Sequence, residues 1–108
     1  MALTWKDFVE AWRVGAINND ASPIDAVITD DFIWETSDMD RQATIDWVNS
    51  TDFRVTEVVE TLYENDDVIV GTHGVHGEGH DNMVMGVAYL RNGKVYRYHH
   101  QRKMLEKL

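Results

Sequence analysis

Five histidines lie in the second half of the chain, and imidazole is a side chain that can bind a metal or move a proton near neutral pH. They are His73, His76, His80, His99 and His100. His73 and His76 are three residues apart on a predicted strand, and His99 and His100 are adjacent, so each pair points to opposite faces of a sheet. A metal site needs several converging ligands, and the chain has no cysteine. We therefore predict no metal and no cofactor.

Acid–base chemistry would use two of these histidines in another way. If His73 and His100 converge from neighbouring or facing strands, each imidazole, with an ordinary pKa near ~6.5, could transfer a proton. Partial burial and a second imidazole nearby would lower both pKa values. The alternative is that both are core histidines, hydrogen-bonded to the backbone or to Tyr96 and Tyr98. The same pair, joined by a carboxylate, would also be the starting point of any metal site.

Helices are predicted to come first along the chain. Thr4 and Asp7 resemble a capping box, and aromatic residues then recur at helical spacing. Ser22-Pro23 combines an N-cap with a first-turn proline. The predicted helices run from Trp5 to Ile17, from Pro23 to Ile28, and from Asp38 or Asp40 to about Asn49.

The apolar period changes to two after the third helix, which indicates strands. The predicted strands are Asp31–Thr36, Phe53–Glu64, Asp67–His76, Met83–Arg91 and Lys94–Met104. Asn92-Gly93 is typical of a type I′ hairpin turn. Since short connections force antiparallel neighbours, the pattern predicts one α+β domain over residues 1–108, with N-terminal helices packed on a curved antiparallel sheet.

The net charge of -9 is unevenly distributed and bears on partners. Basic residues gather near the end of the chain, but the whole molecule would still repel a polyanion, so we expect no nucleic-acid partner. The first residues lack the basic and apolar regions of a signal peptide, and no apolar stretch approaches the ~18 residues of a membrane span. We expect a cytoplasmic protein with no membrane partner.

Four segments join or end the predicted elements in a recognisable way: Trp12 to Gly15, Ile28 to Phe32, Glu64 to Val68 and Arg91 to Val95. With the order of elements, they resemble the nuclear transport factor 2-like superfamily, which includes ketosteroid isomerases and SnoaL-like polyketide cyclases. None of the four segments is a catalytic motif, so the resemblance concerns the fold more than the activity. It implies a cone-shaped fold with a pocket between the helices and the sheet.

The resemblance also implies which side chains face the interior of the cone. Phe8 and Trp12 would close the pocket from the first helix. The inward strand positions that it implies are Trp34, Thr36, Ile69, Gly71, His73, Val75, Val84, Gly86, Ala88, Tyr96, Tyr98, His100 and Arg102. Gly71 and Gly86 would either mark bends in the sheet or widen the pocket.

Comparison with the catalytic residues of the superfamily limits the reactions to be expected. The tyrosine and the two aspartates used by ketosteroid isomerases correspond here to Phe8, Thr36 and Gly86, so steroid isomerisation by that mechanism is not expected. In the epoxide hydrolase and cyclase branches an acid on the last strand acts as the acid–base group. Its place falls on or next to His100.

Two functions remain open from the sequence. In the first, His100, aided by His73, transfers a proton on an apolar or aromatic, carbonyl-bearing molecule in an isomerase, cyclase or hydrolase type of reaction. In the second, the pocket belongs to a non-catalytic binding or dimeric structural module. A homodimer is expected through the outer sheet face, which would carry Met83, Met85, Tyr89, Arg97, His99 and Gln101.

Overall fold

The computed structural model describes residues 3–105, without the side chain of Met104. Its helices are α1 (Trp5–Asn18), α2 (Ser22–Asp25) and α3 (Arg41–Ser50). Thr4 caps α1 by accepting a hydrogen bond from the Asp7 amide, as the capping box predicts. Asp40, and not Asp38, caps α3 by accepting from the amide of Ala43.

Six strands form one curved, open sheet over the described residues. Their order across the sheet is β2-β1-β6-β5-β4-β3, in which β3 to β6 are antiparallel neighbours. A 3-10 turn, Glu35–Ser37, separates β1 from β2. The strands are β1 (Ile28–Trp34), β2 (Met39–Asp40), β3 (Arg54–Glu64), β4 (Val68–Gly77), β5 (His80–Arg91) and β6 (Lys94–Met104).

The predicted boundaries of the second helix and the first strand are wrong. The helix ends at Asp25 and the strand already begins at Ile28. The reason is pairing with β6, since the Val95 amide donates to the carbonyl of Val27 at 2.8 Å. This pairing is parallel, so the sheet is not purely antiparallel. The strand ends at Trp34, because Glu35 enters the 3-10 turn.

Trp5 fills the interior of the sheet next to two glycines. A Cβ on Gly71 would lie 2.2 Å from Nε1 of Trp5, and one on Gly86 would lie 2.8 Å from Cη2 of the same ring. Trp5 is fully buried. Gly71 and Gly86 therefore make room for this indole and do not widen a pocket, since a larger side chain would overlap it.

A β-bulge changes the direction of side chains along β6. Tyr89 pairs with Arg97 and Leu90 pairs with Val95, which leaves Tyr96 without a partner across the ladder. The extra residue shifts the alternation, so Val95 is fully buried while Tyr96 packs beside Tyr89. The prediction that Tyr96 faces the interior is wrong for this reason.

Among the helices of residues 3–105, none is both long enough and apolar enough to cross a bilayer.

Candidate functional site

A cavity of about 310 Å³ lies between the helices and the inner face of the sheet. Its walls are mainly aromatic and aliphatic, and of the polar lining residues His73 is buried, whereas Glu78 and Arg102 are exposed. Apolar walls with a few polar groups are the usual composition of a small-molecule site. The lining residues are Trp12, Trp34, Thr36, Ser37, Met39, Trp47, Phe53, Val55, His73, Val75, Glu78, Val84, Tyr98, His100 and Arg102.

Strand pairing brings the polar lining residues to one face of the sheet. His73 of β4 lies opposite Val84 of β5, which in turn lies opposite Arg102 of β6. Directly opposed residues in an antiparallel ladder share a face, so these three form a row across the cavity. His100 is on the same face two residues earlier along β6, because side chains alternate along a strand.

His100 is held by an indole that fixes its tautomer. Nε1 of Trp34 lies 2.7 Å from Nδ1 of His100. An indole N–H can only donate, so Nδ1 must be the acceptor, and the proton of the neutral imidazole is on Nε2. The ring also stacks on Tyr98, with 5.6 Å between centroids. His100 is therefore oriented to donate one hydrogen bond through Nε2.

The pKa of His100 is strongly lowered. Burial is the main cause, and the nearby charges of His73, Arg102 and His99 add to it, giving a pKa of about 4. The Trp34 contact acts in the same direction, because protonating Nδ1 would remove its acceptor lone pair. His100 is consequently neutral at pH 7.

His73 has the opposite tautomer. Its Nδ1 lies 3.1 Å from the carbonyl oxygen of Gly74, and since a carbonyl only accepts, Nδ1 carries the proton. The Nε2 atom of neutral His73 therefore keeps its lone pair. Burial lowers the pKa of this ring as well, partly offset by the Gly74 contact. The two imidazoles of the cavity lining are thus complementary, because Nε2 of His73 is an acceptor and Nε2 of His100 is a donor.

The hydroxyl groups of Tyr98 and Thr36, which also line the cavity, have structural roles. Tyr98 is buried, which raises the pKa of its phenol, so it remains neutral and is no base at ordinary pH. Thr36 binds the backbone of β6, because its hydroxyl accepts from the His100 amide at 2.8 Å and donates to the His100 carbonyl at 2.9 Å. Thr36 thereby fixes the backbone that carries the imidazole.

The residues predicted for the site are divided between the cavity and its surroundings. His73 and His100 both line the cavity, together with Trp12, Trp34, Thr36 and Tyr98. Phe8 is fully buried and lies behind the wall, packed on Trp12 and Tyr98. The remaining predicted residues, Gly71, Gly86 and Tyr96, do not line the cavity.

Sequence reasoning missed two aromatic rings of the cavity wall. Trp47 from α3 packs edge-on against Trp34, with 5.3 Å between centroids, and Phe53 packs against Trp47. The sequence shows Trp47 on the apolar face of a helix, and that pattern does not distinguish a cavity wall from a filled core. Phe53 is the first residue of a predicted strand, but in the structure it lies just before β3, so strand alternation does not identify it as a wall residue.

The other histidines lie apart from this pair. His76 is exposed and contacts Asp81, and His99 lies on the outer face near Glu35. Within residues 3–105, no group of three or more His, Asp or Glu side chains has a geometry suited to a metal ion. The cavity lining also contains the carboxylate of Glu78, which contacts Arg102, and Glu78 forms no such group with His73 and His100.

Comparison with known proteins supports the fold. No family model and no curated protein matches the sequence. Among solved structures, AclR, a candidate hydroxylase from Streptomyces galilaeus, matches with a TM-score of 0.65 at 16% identity, over 92% of this chain and 75% of its own. At this identity the likeness shows the fold alone. Over residues 3–105 the chain has an α+β fold with three helices on a curved, open, mostly antiparallel sheet, which is consistent with the cone-shaped nuclear transport factor 2-like fold that the order of its elements predicts.

Proposed function

We propose that this protein binds an apolar molecule of one or two rings that carries a carbonyl group, and that it transfers a proton on that molecule. The observation that carries the proposal is the pair of complementary imidazole tautomers in one apolar cavity. The volume of about 310 Å³ is roughly twice the ~150 Å³ that accommodates one benzene ring. A bicyclic ketone is therefore a suitable size.

The proposed proton transfer divides the roles of the two histidines. His73 Nε2 takes a proton from the carbon next to the carbonyl, and the electron pair of the broken C–H bond delocalises onto the carbonyl oxygen. His100 Nε2–H donates to that developing oxyanion, as donors do in other enolate-forming sites. Reprotonation from His73 completes an isomerisation or an exchange. His73, and not His100, is then the base.

An unpaired donor in the same wall also supports a ligand with an acceptor atom. Nε1 of Trp12 is buried and has no hydrogen-bond partner among the described residues. A buried donor without a partner costs roughly 1–3 kcal/mol. A ligand oxygen that reaches this group after a small shift of the ring would recover part of that cost.

Binding without turnover is the second candidate function, and the pKa of His100 favours it. Efficient acid–base catalysis needs a group that titrates near the working pH, whereas His100 titrates at about 4 and the pKa of His73 is also lowered. Two neutral imidazoles would still hydrogen-bond a ligand. The cavity would then belong to a binding module of the same fold.

Exchange of the α-hydrogens of 2-tetralone tests the proposal. We expect the protein to bind this bicyclic ketone, seen as a change in tryptophan fluorescence, and to accelerate its exchange in D₂O, followed by NMR. His73→Gln should lower the exchange rate by about 10²-fold, the lower range for one general base. His100→Gln should lower it less.

His76→Gln is the matched control, because His76 is exposed and outside the cavity. It should leave both binding and exchange unchanged. Binding of 2-tetralone without any effect of His73→Gln on exchange would favour the binding module. Absence of binding by 2-tetralone and by related one-ring ketones would reject both functions.

A further inference from the structure

Arg102 places a positive charge at the exposed end of the cavity. It lies on the inner face of β6, two residues beyond His100, and it lines the same cavity. Its guanidinium carbon is 5.3 Å from the centroid of the Phe53 ring, a cation–π distance that keeps the group over the aromatic wall. Among the described lining residues, Arg102 is the one with a permanent positive charge.

The acidic partner of Arg102 is weakly held. Nη2 of Arg102 lies 3.5 Å from one carboxylate oxygen of Glu78, and both side chains are substantially exposed. An exposed pair with one long contact contributes little, and it leaves most of the five guanidinium donors available. Glu78 occupies a left-handed position, φ 55°, in the two-residue turn between β4 and β5. A turn residue of this kind can release its contact without disturbing the sheet.

We propose that the ligand of this cavity is an aromatic carboxylate whose acid group binds Arg102 in place of Glu78. This inference rests on the proposed small-molecule function and specifies the class of ligand. The ring would lie between Trp12, Trp34 and Trp47, and the carboxylate would meet the guanidinium at the mouth. Carboxylate and guanidinium match in a two-bond geometry that Glu78 does not make here.

Strand geometry adds a second polar group to this class. Arg102 and His100 are two residues apart on one strand and face the same side of the sheet. A ligand that meets both groups would carry a hydrogen-bonding oxygen as well as its acid group. An aromatic oxo-acid satisfies this condition, whereas an uncharged hydrocarbon satisfies neither contact.

Because the net charge of the protein is -9, a preference for a negatively charged ligand would be a specific sign of a local cation at the site. The field of the whole molecule disfavours anions, so a non-specific surface would not select a carboxylate over its neutral amide. A preference for the acid would therefore arise from a local cation at the binding site. Arg102 provides that cation within the cavity lining.

Binding of 2-naphthoate and of its neutral isostere 2-naphthamide, measured by calorimetry at low ionic strength, tests the proposal. We expect the protein to bind 2-naphthoate at least ~10-fold more tightly than 2-naphthamide. Arg102→Gln should remove this difference and leave 2-naphthamide binding within about twofold. Arg102→Lys should keep part of it, and Glu78→Gln should strengthen 2-naphthoate binding several-fold because the competing carboxylate is gone.

Lys103→Gln is the matched control, since it removes a positive charge from the next residue of β6, outside the cavity lining. It should leave the preference for 2-naphthoate unchanged. Equal binding of acid and amide by the unmodified protein overturns the carboxylate proposal, as does an unchanged preference in a folded Arg102→Gln variant. If 2-tetralone still binds in either case, the proposed function stands. If no one of the three compounds binds, both proposals fail.

Discussion

The contact between Trp34 and His100 decides what the second imidazole can do. Because the indole only donates, Nδ1 of His100 is occupied as an acceptor and Nε2 carries the proton. Burial, which is the main cause of the lowered pKa, keeps the ring neutral. His100 is thus a hydrogen-bond donor toward the cavity, and the free lone pair belongs to His73.

Trp34→Phe tests this assignment at the scale of single residues. Removing the indole N–H should raise the pKa of His100 from about 4 toward the ordinary value, since protonation of Nδ1 no longer breaks a hydrogen bond. The measurement is a titration of the His100 ring signals by NMR. The variant should also lose about 1 kcal/mol of unfolding free energy.

Trp47→Phe serves as its control, because Trp47 lines the same cavity and packs on Trp34, whereas the indole that donates to His100 is that of Trp34. This change should leave the His100 pKa where it is. An unchanged His100 pKa in Trp34→Phe would contradict the assigned tautomer.

At the scale of elements, the packing of α1 on the sheet depends on two glycines of neighbouring strands. Trp5, at the start of α1, lies over Gly71 of β4 and Gly86 of β5, which pair with each other across the ladder. Its Nε1 donates to the Thr72 carbonyl at 3.2 Å. The same α1 carries Trp12 into the cavity wall, so this packing fixes one side of the site.

Gly86→Ala should lower the unfolding free energy by about 1–3 kcal/mol, as overpacking of a core does. The added methyl group would lie 2.5 Å from the Tyr98 hydroxyl and 2.8 Å from the Trp5 ring. Chemical denaturation measures the loss. The double variant Gly86→Ala with Trp5→Phe should lose less than the sum of the two single variants, because the smaller ring removes the contact with Trp5, while the contact with Tyr98 remains. Strict additivity would show that the two sites do not share this space.

At the scale of the whole molecule, the outer sheet face remains uncovered by any described element. Met85 is 52% exposed there, and Val58 and Tyr63 are exposed on the neighbouring part of β3. Arg97 lies over Tyr89 on the same face. We propose that a second copy of the chain covers this face. If the two sheets are related by a two-fold axis, the outward side chains of β6, several of which are basic, would face the outer side of β3 in the other copy, which carries Glu60.

Met85→Glu should shift this equilibrium toward the monomer, because it places a charge at the centre of the apolar contact. Sedimentation at several protein concentrations measures the change in mass. Lys94→Glu is a control that should leave the mass unchanged, because Lys94 is the first residue of β6 and lies next to the turn. A monomeric unmodified protein at high concentration would contradict the proposed dimer.

The order of elements was accessible from the sequence, whereas the inward positions of His73, His100, Trp12 and Trp34 came from the family resemblance, which fixed which residues of each element face the interior. Alternation along a strand is a local property, and β4 and the later part of β6 follow it without interruption. Capping is equally local, which is why Thr4 marks the start of α1 correctly, whereas the sequence left Asp38 and Asp40 both open for α3 and the structure selects Asp40.

Contacts between distant segments decided the rest. The bulge at Tyr96 depends on the register of β6 against β5, and the start of β1 depends on parallel pairing with β6. Gly71 and Gly86 could be assigned to the core only after Trp5 was placed over them. The tautomer of His100 likewise follows from Trp34, a neighbour in space that residue spacing along the chain does not specify. The His73 tautomer follows from a contact with the adjacent residue, Gly74, but strand alternation does not predict that contact either.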